Sequence, residues 1–341
     1  MNKTSTVAGP PLTFELFAFR FQFRALESMY FPAGKAGNII RGTLGRIFRK
    51  FVCTPACREA RSCAQRSVCA YARLFEPTAL VAGPSGLADQ PRPFVIRAAH
   101  LDGRRFLFGE SFHFDLMVFE MRDPALAYFA FSFSQVLREG MGPGRPGAEL
   151  VAIHSLLASG QAGAQIFDGQ TLAEPGPMIL PLNTLSLDLP SPNHLAPTAN
   201  NNNDGHAVER VRIQFVTPTE LKAEGKVVRE PQFGVLFARV RDRIHTLRSL
   251  YGEGPLDLDF SASGERARAV KLVHSDLRWE APERRSGRTG QTHSLGGFTG
   301  RAEYQGNLTE FLPYLQAASW TGVGRQTTWG KGQIEVTVLV P

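Results

Sequence analysis

Residues 12–25, LTFELFAFRFQFRA, alternate between apolar and polar side chains over most of their length. Phenylalanines occupy every second position and polar side chains stand between them: Phe17, Phe19, Phe21 and Phe23 against Arg20, Gln22 and Arg24. Successive side chains of a β-strand point to opposite faces, so a period of two indicates a strand with one buried face. The segment predicts a half-buried strand, and with it a sheet that carries a core on one side.

From this strand onward the chain runs through the same order of elements twice. The first half is predicted as a strand (12–25), a helix (38–52) with Asn38 as N-cap, strands (94–101, 106–120), a helix (123–139) and a strand (150–153). The second half is predicted as a strand (208–216), a helix (233–250), strands (269–279, 297–304), a helix (308–318) and a strand (334–340). This doubled βαββαβ order is the ferredoxin-like motif. We therefore predict an α+β fold of two tandem ferredoxin-like (RRM-like) domains.

A stretch of turn-forming residues separates the two halves. Residues 190–207, PSPNHLAPTANNNNDGHA, combine prolines, asparagines and a glycine, which are typical of a linker. We predict an N-terminal domain over residues 1–190, a linker over 191–207 and a C-terminal domain over 208–341. The first domain carries a cysteine-rich insertion at residues 53–69.

The composition limits the class of protein. The chain has 341 residues, 43% of them hydrophobic and 20% charged, which is typical of a soluble globular protein and excludes a disordered one. It has no apolar stretch of about 20 residues and its N-terminus lacks the apolar segment of a secretion signal, so we expect a cytoplasmic protein without a membrane partner. A net charge of +7 favours an anionic partner, most often nucleic acid.

The positive charge is concentrated in one part of the first domain. Between Lys35 and Arg73 there are nine Lys or Arg residues and one acid, Glu59, a local net charge of +8. The basic face of the first helix belongs to this stretch: Arg41, Arg46, Arg49 and Lys50. A charged helix face is usually only solvated, but this imbalance exceeds that of the whole chain. We therefore predict phosphate contacts there.

Two glycine-rich segments precede the last strand of each half. The first, residues 140–147, reads GMGPGRPG, and the second, residues 319–333, reads SWTGVGRQTTWGKGQ. The second contains Gly322, Gly324, Gly330 and Gly332 with two cations, Arg325 and Lys331. Glycines permit a close backbone approach and the cations suit phosphate, so this segment is predicted to hold an RNA backbone. The alternative is a tight connection before an edge strand.

All four cysteines lie close together in the sequence. Cys53, Cys57, Cys63 and Cys69 are spaced C-x3-C-x5-C-x5-C, without the C-x2-C pair of most zinc motifs. Structural zinc is the first expectation and an iron–sulfur cluster the second, with free thiols as the alternative. Disulfides are not expected in a cytoplasmic chain.

One histidine stands among arginines. His293 lies in RRSGRTGQTHSLGG with Arg284, Arg285 and Arg288, and no acid occurs between Arg284 and Glu303. Histidine suits proton transfer near neutral pH, so His293 is a catalytic candidate and the arginines are RNA-binding candidates; a solvated loop is the alternative. For His100 and His113 a solvent-facing or sheet-surface role is expected, because His113 has the parity opposite to its apolar neighbours.

Taken in order, these segments resemble the CRISPR precursor-RNA processing endoribonucleases of the RAMP superfamily, the Cas endoribonucleases with a C-terminal glycine-rich loop. The resemblance covers nearly the whole chain. It is carried by RGTLGRIFRKFVC (41–53), CAYARLFEP (69–77), FDLMVFEMRDPALAYFAFSF (114–133), GMGPGRPG (140–147), VRIQFVTPTELKAEG (211–225), LRWEAPERRSGRTGQTHSLGGFTG (277–300) and FLPYLQAASWTGVGRQTTWGKGQIEV (311–336). It implies binding of CRISPR repeat RNA and a single cut without a catalytic metal. The 2′-hydroxyl would attack the phosphate, leaving a 2′,3′-cyclic phosphate and a 5′-hydroxyl.

The sequence departs from this family at one functional position. Members commonly carry a histidine near the start of the first helix, whereas residues 30–41, YFPAGKAGNIIR, contain none. Tyr30 and Lys35 remain there as catalytic candidates beside His293. The alternative function is a catalytically inactive RNA-binding subunit of a CRISPR effector complex, with crRNA and other Cas effector subunits as partners.

Overall fold

A computed structural model describes residues 12–54, 57–80, 90–120, 125–183, 207–280, 283–285, 292–294 and 296–340, with the backbone alone at 283–285 and 292–294. The elements of the first half are β1 (Thr13–Ala25), β2 (Met29–Tyr30), α1 (Ala36–Val52), α2 (Ala70–Phe75), β3 (Phe94–Arg97), β4 (Arg105–Phe106), β5 (Ser111–Val118), α3 (Leu126–Ser134), α4 (Val136–Glu139), β6 (Ala148–Leu156), β7 (Ala162–Phe167) and β8 (Met178–Pro181). Those of the second half are β9 (Arg210–Thr219), β10 (Leu221–Ala223), β11 (Lys226–Val228), α5 (Phe233–Tyr251), α6 (Phe260–Ala269), β12 (Lys271–Glu280), β13 (Glu283–Arg285), β14 (Thr292–Ser294), β15 (Gly297–Gln305), α7 (Leu312–Thr321) and β16 (Ile334–Val338).

The two main sheets have the same strand order. In the first, the strands run β3-β5-β1-β6, with β7 beyond β6 and β8 beside the start of β1; in the second they run β12-β15-β9-β16. All of these neighbours are antiparallel. In both sheets the first strand of the motif therefore lies between the third and the fourth, which is the ferredoxin-like arrangement. The predicted α+β fold with two ferredoxin-like units is confirmed.

The first core forms between the phenylalanine face of β1 and two helices. The four alternating phenylalanines of β1 are all buried, as predicted, and pack with residues of α1 and α3. The ring of Phe21 stacks on that of Phe114 at 5.5 Å and lies 5.1 Å from that of Phe133. Aromatic side chains bury large areas, so this face holds most of the unit together.

The opposite face of β1 belongs to a different core. Phe14, Leu16 and Ala18 are buried in the same apolar cluster as Val211 of β9 and Phe237 of α5. Beyond Ala18 this face becomes polar, because Gln22 and Arg24 are exposed. The first half of β1 is therefore covered on both faces, and the two units share one of the two cores.

Several elements differ from the predictions. The predicted strand 106–120 begins only at Ser111, and Phe108 is 76% exposed in the preceding turn. The predicted strand 94–101 ends at Arg97 and continues as a short 3-10 helix, Ala99–Leu101. Helix α6, the β10–β11 hairpin, β7 and β8 were not predicted, since short segments lack a clear period. Except for Ala207, the predicted linker lies outside the described residues, so the domain boundaries stay predictions.

Candidate active site

The start of α1 is held by a carboxylate from a distant turn. The helix begins at Ala36 with Lys35 at the N-cap position, two residues before the predicted start; Asn38 is therefore not the N-cap. The Asp102 carboxylate accepts hydrogen bonds from the backbone N–H groups of Lys35 (3.1 Å) and Ala36 (2.9 Å). Burial raises the pKa of Asp102, while these N–H donors act in the opposite direction. The carboxylate takes the place of a local cap and fixes the end of α1.

Tyr30 and Lys35, two of the predicted catalytic residues, flank this turn. Tyr30 is 45% exposed and pairs with Arg105 across the β2–β4 ladder; the Arg105 guanidinium lies 5.7 Å from its ring centroid. Lys35 is exposed, and within the described part of the chain its ammonium group has no carboxylate partner. Both side chains are therefore accessible at one corner of the first unit.

The terminal glycine loop, residues 319–333, docks against this corner. Its short 3-10 helix, Thr327–Trp329, packs on β3 and α1. Gly330 meets Gly37 so closely that a Cβ on Gly37 would lie 2.9 Å from the Gly330 Cα. The guanidinium of Arg41 lies 5.6 Å from the Trp329 ring and 6.0 Å from that of Phe75. Arg41, predicted to contact RNA, thus joins the helix to the loop.

A cleft of about 380 Å³ opens where these parts meet. We call it the glycine-loop cleft, and its walls come from the start of α1, the turn after β3, the end of β9 and the terminal glycine loop. Its lining includes Gly34, Gly37, Ala99, Asp102, Pro218 and Gly330. Residues from both units therefore form this cleft.

The four loop glycines fit the loop against the protein itself. Gly322, Gly324, Gly330 and Gly332 all have positive φ, between 70° and 86°. A Cβ on Gly324 would lie 2.4 Å from the Glu220 carbonyl oxygen, and one on Gly332 would lie 2.0 Å from that of Val323. These positions require glycine for backbone packing. That they also hold an RNA backbone stays a prediction.

Lys331 differs from the prediction that it contacts phosphate. It is 4% exposed, and its ammonium group donates to the carbonyl oxygen of Gly296 (2.7 Å) and to the side-chain oxygen of Gln326 (3.0 Å). The Glu220 carboxylate lies 3.7 Å away. Burial lowers the pKa of Lys331 to about 8, which Glu220 partly opposes. Because it is buried and already hydrogen-bonded, Lys331 supports the loop and is not placed to contact RNA directly.

Arg325 is the more accessible cation of the loop. Its side chain is 58% exposed, and its guanidinium lies 3.0 Å from the Glu220 carboxylate. An exposed ion pair of this kind contributes little to stability and leaves other N–H donors facing solvent. The predicted RNA contact of Arg325 is compatible with this position.

The basic face of α1 is largely used within the protein. Arg46 donates to the Glu139 carboxylate (3.0 Å) and to the carbonyl oxygens of Glu139 (3.0 Å) and Gly140 (2.8 Å). Lys50 pairs with the same carboxylate. Arg49 donates to the carbonyl oxygens of Cys57 and Arg58. These internal partners argue against the prediction that this face of α1 contacts phosphate, because only Lys50 of the three is largely exposed.

The hairpin β13–β14 carries the other predicted residues. Its backbone register places Arg284 opposite His293 and Arg285 opposite Thr292; Arg288 lies outside the described residues. The hairpin lies between β12 and β15 in the chain and forms a two-stranded sheet of its own, and Gly296, which follows it in the sequence, accepts the hydrogen bond of Lys331. The histidine–arginine segment is therefore connected to the terminal glycine loop, while the roles of its side chains stay predictions.

The four cysteines are free thiols near one another. Burial, together with Cys57 and Cys69, raises the pKa of Cys53 to about 12, and burial together with Cys63 raises the pKa of Cys57. Thiolates suit zinc or iron. In the described ranges, however, no group of three or more His, Cys, Asp or Glu side chains is arranged to hold a metal ion. The geometry thus does not support the zinc or iron–sulfur prediction, which stays a prediction.

One histidine near the cleft was assigned no catalytic role from the sequence. His100 lies in the 3-10 helix between Ala99 and Asp102, which line the cleft, and its side chain is exposed. Its ring stacks on that of His113 at 4.5 Å. Choosing His100 from the sequence would have required knowing that its turn meets the start of α1, and His100 lies 65 positions after Lys35.

Comparisons with known proteins agree with this fold. Residues 213–334 match the family model of the CRISPR-associated endoribonuclease Cas6, and residues 14–178 match the N-terminal domain family AF_1859_N. None of the curated protein sequences compared with the chain matches it significantly. No helix of the described residues is both long and apolar enough to cross a membrane.

Solved structures share the fold over almost the whole chain at low sequence identity. A Cas6 product complex (TTHB231) is 16% identical, with a TM-score of 0.51, and the alignment covers 94% of this chain and 99% of that one. For the Thermus thermophilus Cas6 (TTHB231) the values are 15%, 0.50, 96% and 100%. A partial Cas6-RT-Cas1–Cas2 complex is 11% identical with a TM-score of 0.55, covering 97% of this chain and 47% of that one. The resemblance stated from the sequence is confirmed at the level of the family: residues 213–334 match the model of the CRISPR-associated endoribonuclease Cas6 family, and the chain shares the fold of solved Cas6 structures.

Proposed function

We propose that this protein binds CRISPR repeat RNA and cuts the precursor transcript once to give crRNA. The 2′-hydroxyl attacks the adjacent phosphate without a metal, leaving a 2′,3′-cyclic phosphate and a 5′-hydroxyl. The observation that carries the proposal is the glycine-loop cleft, built from the start of α1, the turn after β3 and the terminal glycine loop of a Cas6-family chain. It brings exposed polar residues of the first unit beside the loop of the second.

This reaction requires a base for the 2′-hydroxyl, an acid for the leaving 5′-oxygen and cations for the charge on the phosphate. Lys35 suits the cationic role, because its ammonium group is exposed at the start of α1. The N–H groups of Lys35 and Ala36 are not available to phosphate, since the Asp102 carboxylate accepts both. Charge stabilisation therefore depends on Lys35 and on backbone groups of the terminal glycine loop.

Binding of the RNA outside the cleft falls to exposed cations. Arg325 lies on the terminal glycine loop, and β13 carries Arg284 and Arg285, with Arg288 three residues further on in the sequence. Arg104 and Arg105 are exposed beside Tyr30, which offers an aromatic face. Arginines of this kind position RNA through its phosphates, whereas loop bases and hairpin shape provide specificity.

The test is cleavage of the repeat RNA of its own CRISPR array by the full chain in the presence of EDTA. We expect one cut, a cyclic-phosphate end that resists a phosphatase until acid treatment, and a 5′-hydroxyl that polynucleotide kinase can label. A scrambled RNA of the same length is the control. The absence of any cut across pH 5.5–9 would refute the catalytic proposal.

A second candidate function is a non-catalytic RNA-binding subunit of a CRISPR effector complex. It is favoured by the absence of a histidine in residues 30–41. It predicts tight binding of the repeat RNA, no cleavage under any condition, and co-purification with other Cas proteins of the same locus. Cleavage by the isolated chain would exclude it.

The zinc prediction for the cysteine segment has a separate test. Metal analysis of the protein purified without chelator measures zinc and iron per chain, and the Cys57→Ser variant is the control. About one zinc per chain, lost in the variant, would support a site that forms when the thiolates meet the metal. Protein that contains no metal, and whose free energy of unfolding is the same as that of the Cys57→Ser variant, would refute the zinc prediction.

A further inference from the structure

His100 lies in the 3-10 helix Ala99–Leu101, beside Ala99, and both Ala99 and the following Asp102 line the glycine-loop cleft. It is exposed and lies two residues before Asp102, whose carboxylate holds the start of α1. Its Nε2 atom is 2.8 Å from the backbone carbonyl oxygen of His113, and the two imidazole rings stack at 4.5 Å with an angle of 27° between them. Two independent contacts therefore fix both the position and the plane of an exposed ring.

The hydrogen bond also determines the tautomer. A carbonyl oxygen only accepts, so Nε2 of His100 must carry the hydrogen. In the neutral ring the lone pair is then on Nδ1, which makes no hydrogen bond within the described residues. A histidine held through one nitrogen, with the other available, is the usual arrangement of a general base.

The surrounding charged groups are few and mostly paired. Burial, His100 and Arg20 lower the pKa of His113 to about 4, so this neighbour is neutral at physiological pH. Arg20 forms a two-pronged ion pair with Asp115, at 2.8 and 3.0 Å. On its own turn His100 faces Asp102, whose charge is shared with the start of α1. None of these groups forms a hydrogen bond with Nδ1 of His100.

We propose that His100 is the general base of the cleavage reaction and supplies the histidine that the start of α1 lacks. The inference rests on the proposed function. Nδ1 of His100 takes the proton of the 2′-hydroxyl while the 2′-oxygen forms its bond to phosphorus. The bond from phosphorus to the 5′-oxygen breaks, and that oxygen leaves with the electron pair and takes a proton from solvent. The imidazolium keeps its hydrogen bond to the His113 carbonyl oxygen and later returns the extra proton to water.

The experiment measures single-turnover cleavage of the array's repeat RNA by the full chain in EDTA, from pH 5.5 to 9. Wild type is compared with His100→Ala, His100→Gln and His274→Ala. The glutamine amide can still donate to the His113 carbonyl oxygen but takes up no proton, so this variant separates the chemical role from the structural one. His274 is an exposed histidine on β12 and serves as the matched control.

We expect both His100 variants to bind the RNA within about threefold of wild type and to cleave it about 10²- to 10⁴-fold more slowly, as for loss of a general base. Added imidazole should restore part of the rate of His100→Ala. Equal cleavage by wild type and His100→Ala, or normal cleavage by His100→Gln alone, would overturn the role of His100 and leave the proposed function intact. If wild type itself does not cleave, the proposed function fails first and this inference with it.

Discussion

The two glycine-rich loops occupy equivalent positions in the two units, each before the last strand of its sheet, yet they pack differently. In the first loop, residues 140–147, a Cβ on Gly140 would lie 2.0 Å from the carbonyl oxygen of Arg145 in the same loop, and Gly144 faces open space. In the terminal glycine loop, Gly324 packs on Glu220, and Gly330 packs on Gly37 of the other unit. The first loop packs within its own unit, whereas the second is a contact between units.

Both loops are nevertheless attached to the same helix. Arg46, in the middle of α1, donates to the Gly140 carbonyl oxygen of the first loop, and Gly37, at the start of α1, touches the second. Only the second attachment lies beside the cleft. A glycine-rich pattern thus predicts a tight loop, but its place in the assembled fold decides whether the loop can take part in RNA binding.

The largest effect is expected from a methyl group inside the terminal glycine loop. Gly332→Ala adds a Cβ at 2.0 Å from the Val323 carbonyl oxygen at a φ of 71°, which should lower the free energy of unfolding by about 4 kcal/mol. Gly144→Ala has a similar φ, 73°, but nothing within 4 Å, and should lose only about 1 kcal/mol. Urea unfolding measures both. Equal losses of unfolding free energy would show that backbone strain alone, without loop packing, explains why these positions require glycine.

The next effect concerns the buried ammonium group of Lys331. Its pKa is about 8 in the folded protein against an ordinary 10.5, so between these values the unfolded chain binds more protons and rising pH favours the folded state. The unfolding free energy of wild type minus that of Lys331→Met should therefore rise by about 2 kcal/mol between pH 8 and 10. Urea unfolding at several pH values gives this difference. Lys226→Met, at an exposed position, is the control; a flat difference for Lys331 would show that its ammonium group is hydrated.

A smaller effect is expected at the attachment of the first loop. Arg46→Met removes three hydrogen bonds to Glu139 and Gly140 and should lower the free energy of unfolding by about 1.5 kcal/mol. Lys50→Met removes only an exposed ion pair with Glu139 and should change the free energy of unfolding by less than about 0.5 kcal/mol. The comparison is made by thermal and urea unfolding. If Lys50→Met weakened RNA binding and Arg46→Met did not, phosphate contact by this face would be limited to its exposed part.

The smallest effect is a change in the free energy of unfolding that has opposite signs for two glycines of α1. Gly42 is exposed, and a Cβ added there would have nothing within 4 Å, so Gly42→Ala should stabilise the helix by about 0.5–1 kcal/mol. Gly37→Ala gains the same helix propensity but pushes Gly330 away, which should give a net loss of about 1 kcal/mol and weaker RNA cleavage. Unfolding and cleavage are measured on both variants. A stabilising Gly37→Ala would mean that the loop separates from α1 in solution.

Local patterns in the sequence predicted much of the fold. The alternation in β1 identified its buried face correctly, because the phenylalanines from 17 to 23 are all buried. The repeated order of elements predicted the strand order of both sheets. Both predictions depend on periodic patterns among residues that are close in the sequence, and the folded protein keeps these patterns.

Contacts between distant residues could not be predicted in the same way. Asn38 satisfied the local rule for an N-cap. The N–H groups at the start of α1, those of Lys35 and Ala36, are instead bound by Asp102, which lies 64 residues after Asn38. The charge count around α1 did not reveal that Arg46 and Lys50 both pair with the Glu139 carboxylate. Lys331 looked like a phosphate ligand because its burial and its bond to Gly296 depend on the tertiary fold. The positions that were misjudged are therefore those whose partners lie far away in the sequence.

The two-sided burial of β1 has a consequence for dividing the chain. A fragment ending near residue 178, where the match to the N-terminal domain family ends, would leave Phe14, Leu16 and Ala18 without the partners they have in the second unit. Such a fragment would expose a contiguous apolar surface and is expected to aggregate. A family boundary in the sequence is thus not a boundary of autonomous folding, and transplanting either half into another chain would require redesign of this one strand.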